Sequence, residues 1–184
     1  MSKYITLGIF GSGQLGSELV KSAKKLGLKT IVFSDDKNGP AQKFCDEYIF
    51  SDYNDVSNLE KFTNKIDVCT YEFENIPIET INKLNKIKKV YPNPNCLRIA
   101  QNRILEKSFA NKLGINSTEW KNIKSLEELK NNNNLFPSIL KTCTMGYDGK
   151  GQFRINSLNE IDENLDVSKE YILEKFVDLK QEIS

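Results

Sequence analysis

Residues 4–16 read YITLGIFGSGQLG, and this stretch decides the fold of the first half of the chain. Its first seven residues are mostly apolar and β-branched, which is typical of a buried parallel strand. Gly11, Gly13 and Gly16 follow in a Gly-x-Gly-x-x-Gly pattern, which lets a strand turn tightly into a helix. The stretch therefore predicts a strand, a glycine turn and the start of a helix.

The residues after the glycine turn complete one strand–helix–strand unit. Gly27 stands where a helix C-terminal glycine belongs, and residues 29–34 (KTIVFS) are predicted to form a second strand. The whole unit takes about 30 residues, which is the length of a βαβ unit. The apolar side chains expected to share one helix face, at spacings i, i+4, i+8 and i+11, are those of Leu15, Leu19, Ala23 and Leu26.

Strands and helices keep alternating up to about residue 100. The further predicted strands are residues 48–50, 68–71 and 90–91, and the further predicted helices are residues 59–64 and 78–84. Such alternation implies a doubly wound parallel sheet with right-handed crossovers. We therefore predict an α/β, Rossmann-like first domain over residues 1–100.

The pattern changes after residue 100, where a second domain over residues 101–184 is predicted. Its predicted helices are residues 102–113, 126–130 and 158–165, and its predicted strands are residues 138–141, 152–155 and 171–175. Leu105, Phe109 and Leu113 form one stripe on the first helix, which Gly114 ends. A glycine-rich loop joins the first two strands, so we expect a small α+β domain with a glycine-rich hairpin.

The composition excludes several classes of function. The 184 residues carry 26 Lys and Arg against 25 Asp and Glu, and the net charge of +1 gives no attraction to nucleic acid or to an acidic membrane. The N-terminal apolar stretch is too short for a signal sequence or a membrane span, so we expect a cytoplasmic protein. Histidine is missing from the sequence, which excludes a Ser-His-Asp triad and a histidine zinc site within it.

The four cysteines have no C-x-x-C spacing, and we expect them to be reduced thiols. Cys45, Cys69 and Cys96 are predicted to be small apolar packing residues. Cys143 lies in the glycine-rich stretch described below.

The first glycine motif leaves two interpretations open. Asp35 and Asp36 follow the second strand, where a ribose-binding acid stands in NAD-dependent oxidoreductases, so a dinucleotide site is one hypothesis. A lone Gly-x-Gly-x-x-Gly pattern is shared by many doubly wound domains, so a tight turn without a dinucleotide is favoured. The amides of the turn remain available for a phosphate of another ligand.

The second glycine motif, residues 141–152, reads KTCTMGYDGKGQ. It has lysines near both ends and successive glycine amides that can form an anion-binding concavity between two strands. An ordinary hairpin needs only Asp148-Gly149, which leaves Gly146 and Gly151 unexplained. The pattern therefore favours a flap that closes over a nucleotide and excludes water.

Three stretches together resemble the ATP-grasp ligases and, within them, the N5-carboxyaminoimidazole ribonucleotide synthetases of purine biosynthesis. They are YEFENIP (71–77), AQNRILEKSFANKLGI (100–115) and KTCTMGYDGKGQ (141–152), and FGSGQLG (10–16) and GPA (39–41) fit the same family. The formate-dependent glycinamide ribonucleotide transformylases have a similar front end but a different flap, and they remain the related alternative.

The resemblance implies a ligase reaction with ATP, bicarbonate and aminoimidazole ribonucleotide as substrates. Bicarbonate takes the γ-phosphoryl group of ATP, and the carboxyphosphate or the CO2 released from it carboxylates the N5 amine. Such a reaction needs positioning, charge neutralisation and a dry site.

The resemblance also implies roles for individual residues. Lys141 and Asp148 are expected to be catalytic, and Gly13, Gln14, Leu15, Glu72, Tyr147 and Asp148 are expected to border aminoimidazole ribonucleotide. Arg103 and Lys141 would contact the ATP phosphates under a flap formed by Gly146, Tyr147, Asp148, Gly149, Lys150, Gly151 and Gln152. The hinge residues expected to hold the adenosine part are Glu174, Lys175, Phe176, Val177 and Glu182. For Glu72 and Glu74 a structural role is an equally good expectation.

The chain departs from the family pattern in two respects. Met145 and Cys143 stand where the family more often has glycine and a basic residue, so Met145 is expected to stiffen the flap and Cys143 to remove a phosphate contact. In the family a C-terminal ATP-grasp domain with the Mg2+ ligands follows, and it is absent from these 184 residues. No metal ligand is therefore expected here, and a fragment without that domain is expected to be inactive alone. The family is typically dimeric, so a homodimer is the assembly to test.

Overall fold

The computed structural model describes residues 5–146, 151–166 and 168–181. The chain divides into two compact units, Met1–Arg98 and Ile99–Ser184. Tyr147, Asp148, Gly149, Lys150 and Glu182, to which the resemblance gives roles, lie outside the described residues.

The first unit is built on a five-stranded parallel sheet with the strand order β3-β2-β1-β4-β5. The chain adds β2 and β3 on one side of β1 and then β4 and β5 on the other side. The sheet is therefore doubly wound, as predicted. The strands are β1 (Thr6–Phe10), β2 (Lys29–Ser34), β3 (Glu47–Phe50), β4 (Val68–Tyr71) and β5 (Lys89–Tyr91).

The helices that follow these strands agree with the predicted ones, apart from their ends and one addition. They are α1 (Gln14–Lys25), α2 (Val56–Lys65), α3 (Ile78–Asn85) and α4 (Pro94–Ala100), and the sequence patterns had not indicated α4. Gly27 has a φ of 75°, as expected of a glycine after a helix end.

Of the four apolar residues expected to share one face of α1, only Ala23 faces inward. Leu15 and Leu26 are 66% and 78% exposed, and the buried residues of the helix are Gly16, Ser17, Val20 and Ala23. The glycine turn sets the rotation of the helix, because a Cβ atom on Gly16 would lie 3.0 Å from the carbonyl oxygen of Gly11. Since Gly16 must face inward, Val20 and Ala23 face inward with it, at spacings of four and seven residues.

An aromatic cluster fills the core of the first unit on one side of the sheet. The rings of Phe10, Phe33 and Phe62 lie with centroids 5.0–5.5 Å apart. Gly8 makes this possible, since a Cβ atom there would lie 2.5 Å from the Phe62 ring. Tyr53 packs on the same rings, and burial raises the pKa of its hydroxyl.

The cysteine prediction holds only in part. Cys69 is buried, and burial raises the pKa of its thiol, whereas Cys45 is half-buried. Cys96 is exposed on α4, so the packing role predicted for it was wrong. The reason is that α4 was not expected, and its buried residues are Pro94 and Leu97.

The second unit has a four-stranded antiparallel sheet with the order β6-β9-β7-β8. This small α+β unit was predicted, although β6 had not been indicated by the sequence. Its strands and helices are β6 (Trp120–Ile123), β7 (Ser138–Thr142), β8 (Gln152–Ile155), β9 (Tyr171–Lys175), α5 (Arg103–Lys112) and α6 (Leu126–Asn131). In the part of the chain that the structure describes, no helix is long and apolar enough to cross a membrane.

The helix predicted over residues 158–165 was wrong. Only a 3-10 turn forms there, over Leu158–Glu160. Polar side chains bond to nearby backbone amides instead: the Glu160 carboxylate accepts from the Asn156 N–H, and the Asp162 carboxylate accepts from the Asn164 N–H. Such local bonds compete with helix formation.

The antiparallel sheet has one apolar face. Leu140 of β7 and Leu173 of β9 pack with Leu129 of α6 in the core of the second unit. Because side chains alternate along a strand, Lys141 and Glu174, the next residues on β7 and β9, lie on the opposite face.

Candidate functional site

A nearly buried carboxylate lies between two lysines on the face of the antiparallel sheet opposite Leu140 and Leu173. The Nζ atom of Lys141 lies 2.8 Å from Oε2 of Glu174, and the Nζ atom of Lys107 lies 3.5 Å from Oε1. We call these three residues the Lys–Glu–Lys cluster. Lys141 is opposite Ile172 in the β7–β9 register, so it reaches Glu174 along the diagonal of the ladder.

The Lys–Glu–Lys cluster carries a net positive charge, since two ammonium groups face one carboxylate. The side chain of Glu174 is only 9% exposed, whereas each lysine side chain is 20% exposed. A buried carboxylate needs such partners to offset its desolvation. Each lysine side chain keeps some solvent exposure, and two neighbouring cations suit a polyphosphate.

Arg103 fastens the glycine-rich loop to the start of α5. Its Nε atom donates to the carbonyl oxygen of Thr142 at 3.2 Å, and Nη2 donates to the carbonyl oxygen of Gly146 at 2.8 Å. Its backbone N–H donates to the carbonyl oxygen of Cys143 at 3.0 Å. The helix itself is capped by the Asn102 side chain, which accepts from two backbone N–H groups. Arg103 is therefore held at the base of the predicted flap.

The loop after β7 uses left-handed backbone at two described positions. Gly151 has a φ of 69°, and a Cβ atom there would lie 2.6 Å from Oγ1 of Thr142, so glycine is required. Met145 has a φ of 59° although it carries a side chain, and that side chain is 68% exposed. The position where the family pattern favours glycine is thus strained in this chain.

Replacing Met145 by glycine is expected to stabilise the protein. The left-handed conformation of a residue with a Cβ atom costs about 1 kcal/mol, and glycine removes most of that cost. The side chain is exposed, so its loss forfeits little packing. Urea unfolding should give a free energy of unfolding that is higher by up to about 1 kcal/mol. Met145→Ala keeps the Cβ atom and should show no such gain, and an equal gain in both variants would contradict the strain.

The side chain of Cys143 is buried, so it faces the interior of the second unit. Burial raises the pKa of its thiol to about 12, and the thiol is therefore protonated at neutral pH. The residue acts as a packing side chain at the base of the loop.

The backbone groups of the hinge at the end of β9 are largely hydrogen-bonded within the protein. The N–H of Lys175 donates to the Glu119 carbonyl oxygen, and its own carbonyl accepts from Oγ1 of Thr118. The N–H of Phe176 donates to the Pro137 carbonyl oxygen. The Phe176 ring lies under the guanidinium group of Arg154, with Cζ 4.1 Å from the ring centroid, and Val177 is half exposed.

The side-chain carboxylate of Glu72 occupies the first glycine turn. Its Oε1 atom accepts a hydrogen bond from the N–H of Gly13 at 2.9 Å. Cβ atoms on Gly11 and Gly16 would lie 2.6 and 3.0 Å from the same oxygen. The close approach of this carboxylate is therefore a reason why positions 11 and 16 are glycine. The turn lies at the carboxyl ends of β1 and β4, the point in a doubly wound sheet where ligands bind.

The remaining residues predicted around the two sites are mostly exposed. Gln14 and Leu15 project at the start of α1, and Gln152 is exposed at the start of β8, opposite Lys141 in the ladder. Asp36 accepts from the Asn38 N–H and forms a local turn. The roles predicted for these residues stay predictions.

The described residues do not fit a Mg2+ ion. Within residues 5–146, 151–166 and 168–181, no group of three or more Cys, Asp or Glu residues could hold a metal. Glu174 is already engaged by two lysines.

Sequence reasoning missed Lys107. A signal was present, because Lys107 stands four residues after Arg103 on a predicted helix and so shares its face. What the sequence did not show is that this face lies against Glu174.

Comparison with known proteins agrees with this architecture. The family model "Ribonucleotide synthetase preATP-grasp domain" matches residues 4–101, and the "ATP-grasp domain" model matches residues 108–184. The chain therefore belongs to the ribonucleotide synthetase pre-ATP-grasp family, and the resemblance stated above is confirmed.

Relatives and solved structures extend this result. The N5-carboxyaminoimidazole ribonucleotide synthase of Brucella melitensis is 37% identical over 185 residues, covering 97% of this chain and 51% of that protein. The Staphylococcus aureus N5-carboxyaminoimidazole synthetase complexed with ADP matches with a TM-score of 0.90 and 31% identity, covering 97% of this chain and 49% of that one. The Aspergillus clavatus synthase in complex with ADP and 5-aminoimidazole ribonucleotide matches with a TM-score of 0.84 and 26% identity, covering 98% and 48%. The chain spans about half the length of these proteins.

Proposed function

We propose that the protein is an ATP-dependent carbon–nitrogen ligase of the cytoplasm. In this proposal it uses bicarbonate to carboxylate 5-aminoimidazole ribonucleotide to N5-carboxyaminoimidazole ribonucleotide in purine biosynthesis. The single observation that carries the proposal is the Lys–Glu–Lys cluster, a net positive, partly exposed site next to the Arg103-held loop. The relatives crystallised with ADP and with aminoimidazole ribonucleotide support the same substrates.

The second unit is proposed to bind ATP. Lys141 neutralises phosphate charge from the sheet, and Arg103 does so from the start of α5, where it already holds the base of the loop. The predicted flap, residues 146–152, is proposed to cover the phosphates. Water exclusion matters here, because carboxyphosphate hydrolyses readily.

The glycine turn of the first unit is proposed to border aminoimidazole ribonucleotide through Glu72. A carboxylate that already occupies the turn repels a phosphate group but accepts hydrogen bonds from an amine or a ribose hydroxyl. The same contact disfavours the oxidoreductase hypothesis, because the pyrophosphate of NAD would need the Gly13 N–H that already donates to Glu72.

The proposal includes the domain limits, the source of the Mg2+ ligands and the assembly. Residues 1–100 form the pre-ATP-grasp domain and residues 101–184 the connecting helix and lid. Mg2+ takes its ligands from residues outside these two domains, and the assembly to be tested is a homodimer. Tyr147 and Asp148 keep their predicted roles at the substrates.

The test of the proposed function is phosphate release by the full polypeptide encoded with this chain. With ATP, Mg2+ and bicarbonate present, aminoimidazole ribonucleotide is expected to stimulate phosphate release at least 10-fold. Glycinamide ribonucleotide with formate serves as the control for the related transformylase. If only glycinamide ribonucleotide with formate stimulates phosphate release, the protein is the related transformylase. If neither substrate stimulates phosphate release, the proposal is refuted.

A further inference from the structure

Glu174 has two carboxylate oxygens, and the structure gives each of them a different lysine. Lys141 alone would form a neutral pair with Glu174, and such a pair offers little net attraction to a phosphate. Lys107 adds the second cation, so the cluster as a whole is positive. The resemblance gave no role to Lys107.

Lys107 also restrains the geometry of the pair. It reaches Oε1 of Glu174 from α5, whereas Lys141 binds Oε2 from β7. Holding one oxygen from the helix fixes the orientation of the carboxylate, and this in turn fixes the direction of the Lys141 ammonium group. Since α5 also carries Arg103, one helix supplies two cations: Arg103 donates to the loop carbonyls, and Lys107 contacts Glu174.

We propose that Lys107 is a positioning residue of the polyphosphate site. It holds Glu174 in place and gives the Lys–Glu–Lys cluster the positive charge that a nucleotide triphosphate requires. This inference rests on the proposed ATP binding, and it adds a residue and a charge requirement to it.

The test uses inorganic tripolyphosphate and adenosine as separate probes of the chain, by isothermal titration calorimetry. Lys107→Met is expected to weaken tripolyphosphate binding about 10-fold, because one of the neighbouring cations is lost. Lys107→Arg should stay within about 3-fold of the wild type, since it keeps the charge. Adenosine affinity should not change, because adenosine carries no phosphate.

Lys112→Met is the matched control, since it removes one positive charge from the exposed last turn of the same helix. It should leave tripolyphosphate affinity within about 2-fold, because salt screens an exposed charge that does not contact the site. A merely structural role for Lys107 would weaken both probes together, and that result would overturn the inference.

The experiments distinguish failure of the role of Lys107 from failure of the proposed function. If the wild type binds tripolyphosphate and Lys107→Met binds it as well as Lys112→Met does, the role of Lys107 is refuted and the proposed function stands. If the wild type binds neither tripolyphosphate nor ATP, both are refuted. If the charge dependence is found but the full polypeptide releases no phosphate, only the proposed reaction fails.

Discussion

Replacing Lys141 by methionine is expected to weaken ATP binding about 100-fold, because an ammonium group that contacts phosphate contributes up to about 3 kcal/mol. The same change is expected to lower the free energy of unfolding by about 2 kcal/mol. Removing one partner of a buried ion pair leaves an uncompensated charge. This loss of stability is smaller than the roughly 3–5 kcal/mol that breaking a buried ion pair usually costs, because Lys107 still lies 3.5 Å from Glu174. Calorimetric titration and urea unfolding measure the two effects.

A double variant separates binding from stability. Lys141→Met combined with Glu174→Met removes the carboxylate together with its Lys141 partner, and Lys107 is left without its Glu174 partner. Part of the lost stability is therefore expected to return while ATP affinity stays low. Lys130→Met is the surface control, because its ion pair with Glu163 is 44% and 68% exposed and contributes under about 1 kcal/mol. ATP affinity that survives in Lys141→Met would remove this residue from the site.

Replacing Gly11 by alanine is expected to destabilise the first unit by about 3 kcal/mol. The positive φ of 95° costs about 1 kcal/mol for any residue with a Cβ atom. The new Cβ atom would also lie 2.6 Å from the Glu72 carboxylate and 2.8 Å from Cβ of Phe73, and such overlap costs a further 1–3 kcal/mol, roughly. Thermal and urea unfolding report the change.

Gly27→Ala is the control that isolates the backbone contribution. Gly27 also has a positive φ, of 75°, but a Cβ atom there would have no neighbour within 4 Å. It should cost only about 1 kcal/mol. If both variants lose the same stability, the close approach of Glu72 to the glycine turn does not contribute.

Several features of the site followed from the sequence. Lys141 ends an apolar strand, and a lysine there needs a partner, which proved to be Glu174. Gly151, which a simple hairpin turn had left unexplained, is explained by its positive φ and the close approach of Thr142, and the flap stays a prediction. Met145, where the family pattern favours glycine, is found in a left-handed conformation, and the stiffening expected of it stays a prediction.

Other features depended on contacts between segments far apart in the sequence. Glu72 reaches Gly13 across 59 residues, so the glycine motif alone could not show that its anion position is filled by the protein. The inward face of α1 follows from the approach of Gly16 to Gly11, and the leucine spacing therefore pointed to the wrong side. Arg103 was assigned to phosphate, but its bonds to the loop carbonyls became visible only in three dimensions.

The sequence by itself determined the alternation of strands and helices in the first unit, its parallel sheet, the α+β class of the second unit and the family, because these depend on local periodicity and on short motifs. Only the tertiary structure decided which charges meet. Lys107, Lys141 and Glu174 come from a helix and two strands, and their distances depend on strand register and on how α5 lies over the sheet. The partner of a charged side chain cannot be derived from sequence periodicity, because it depends on which segments meet in the folded chain.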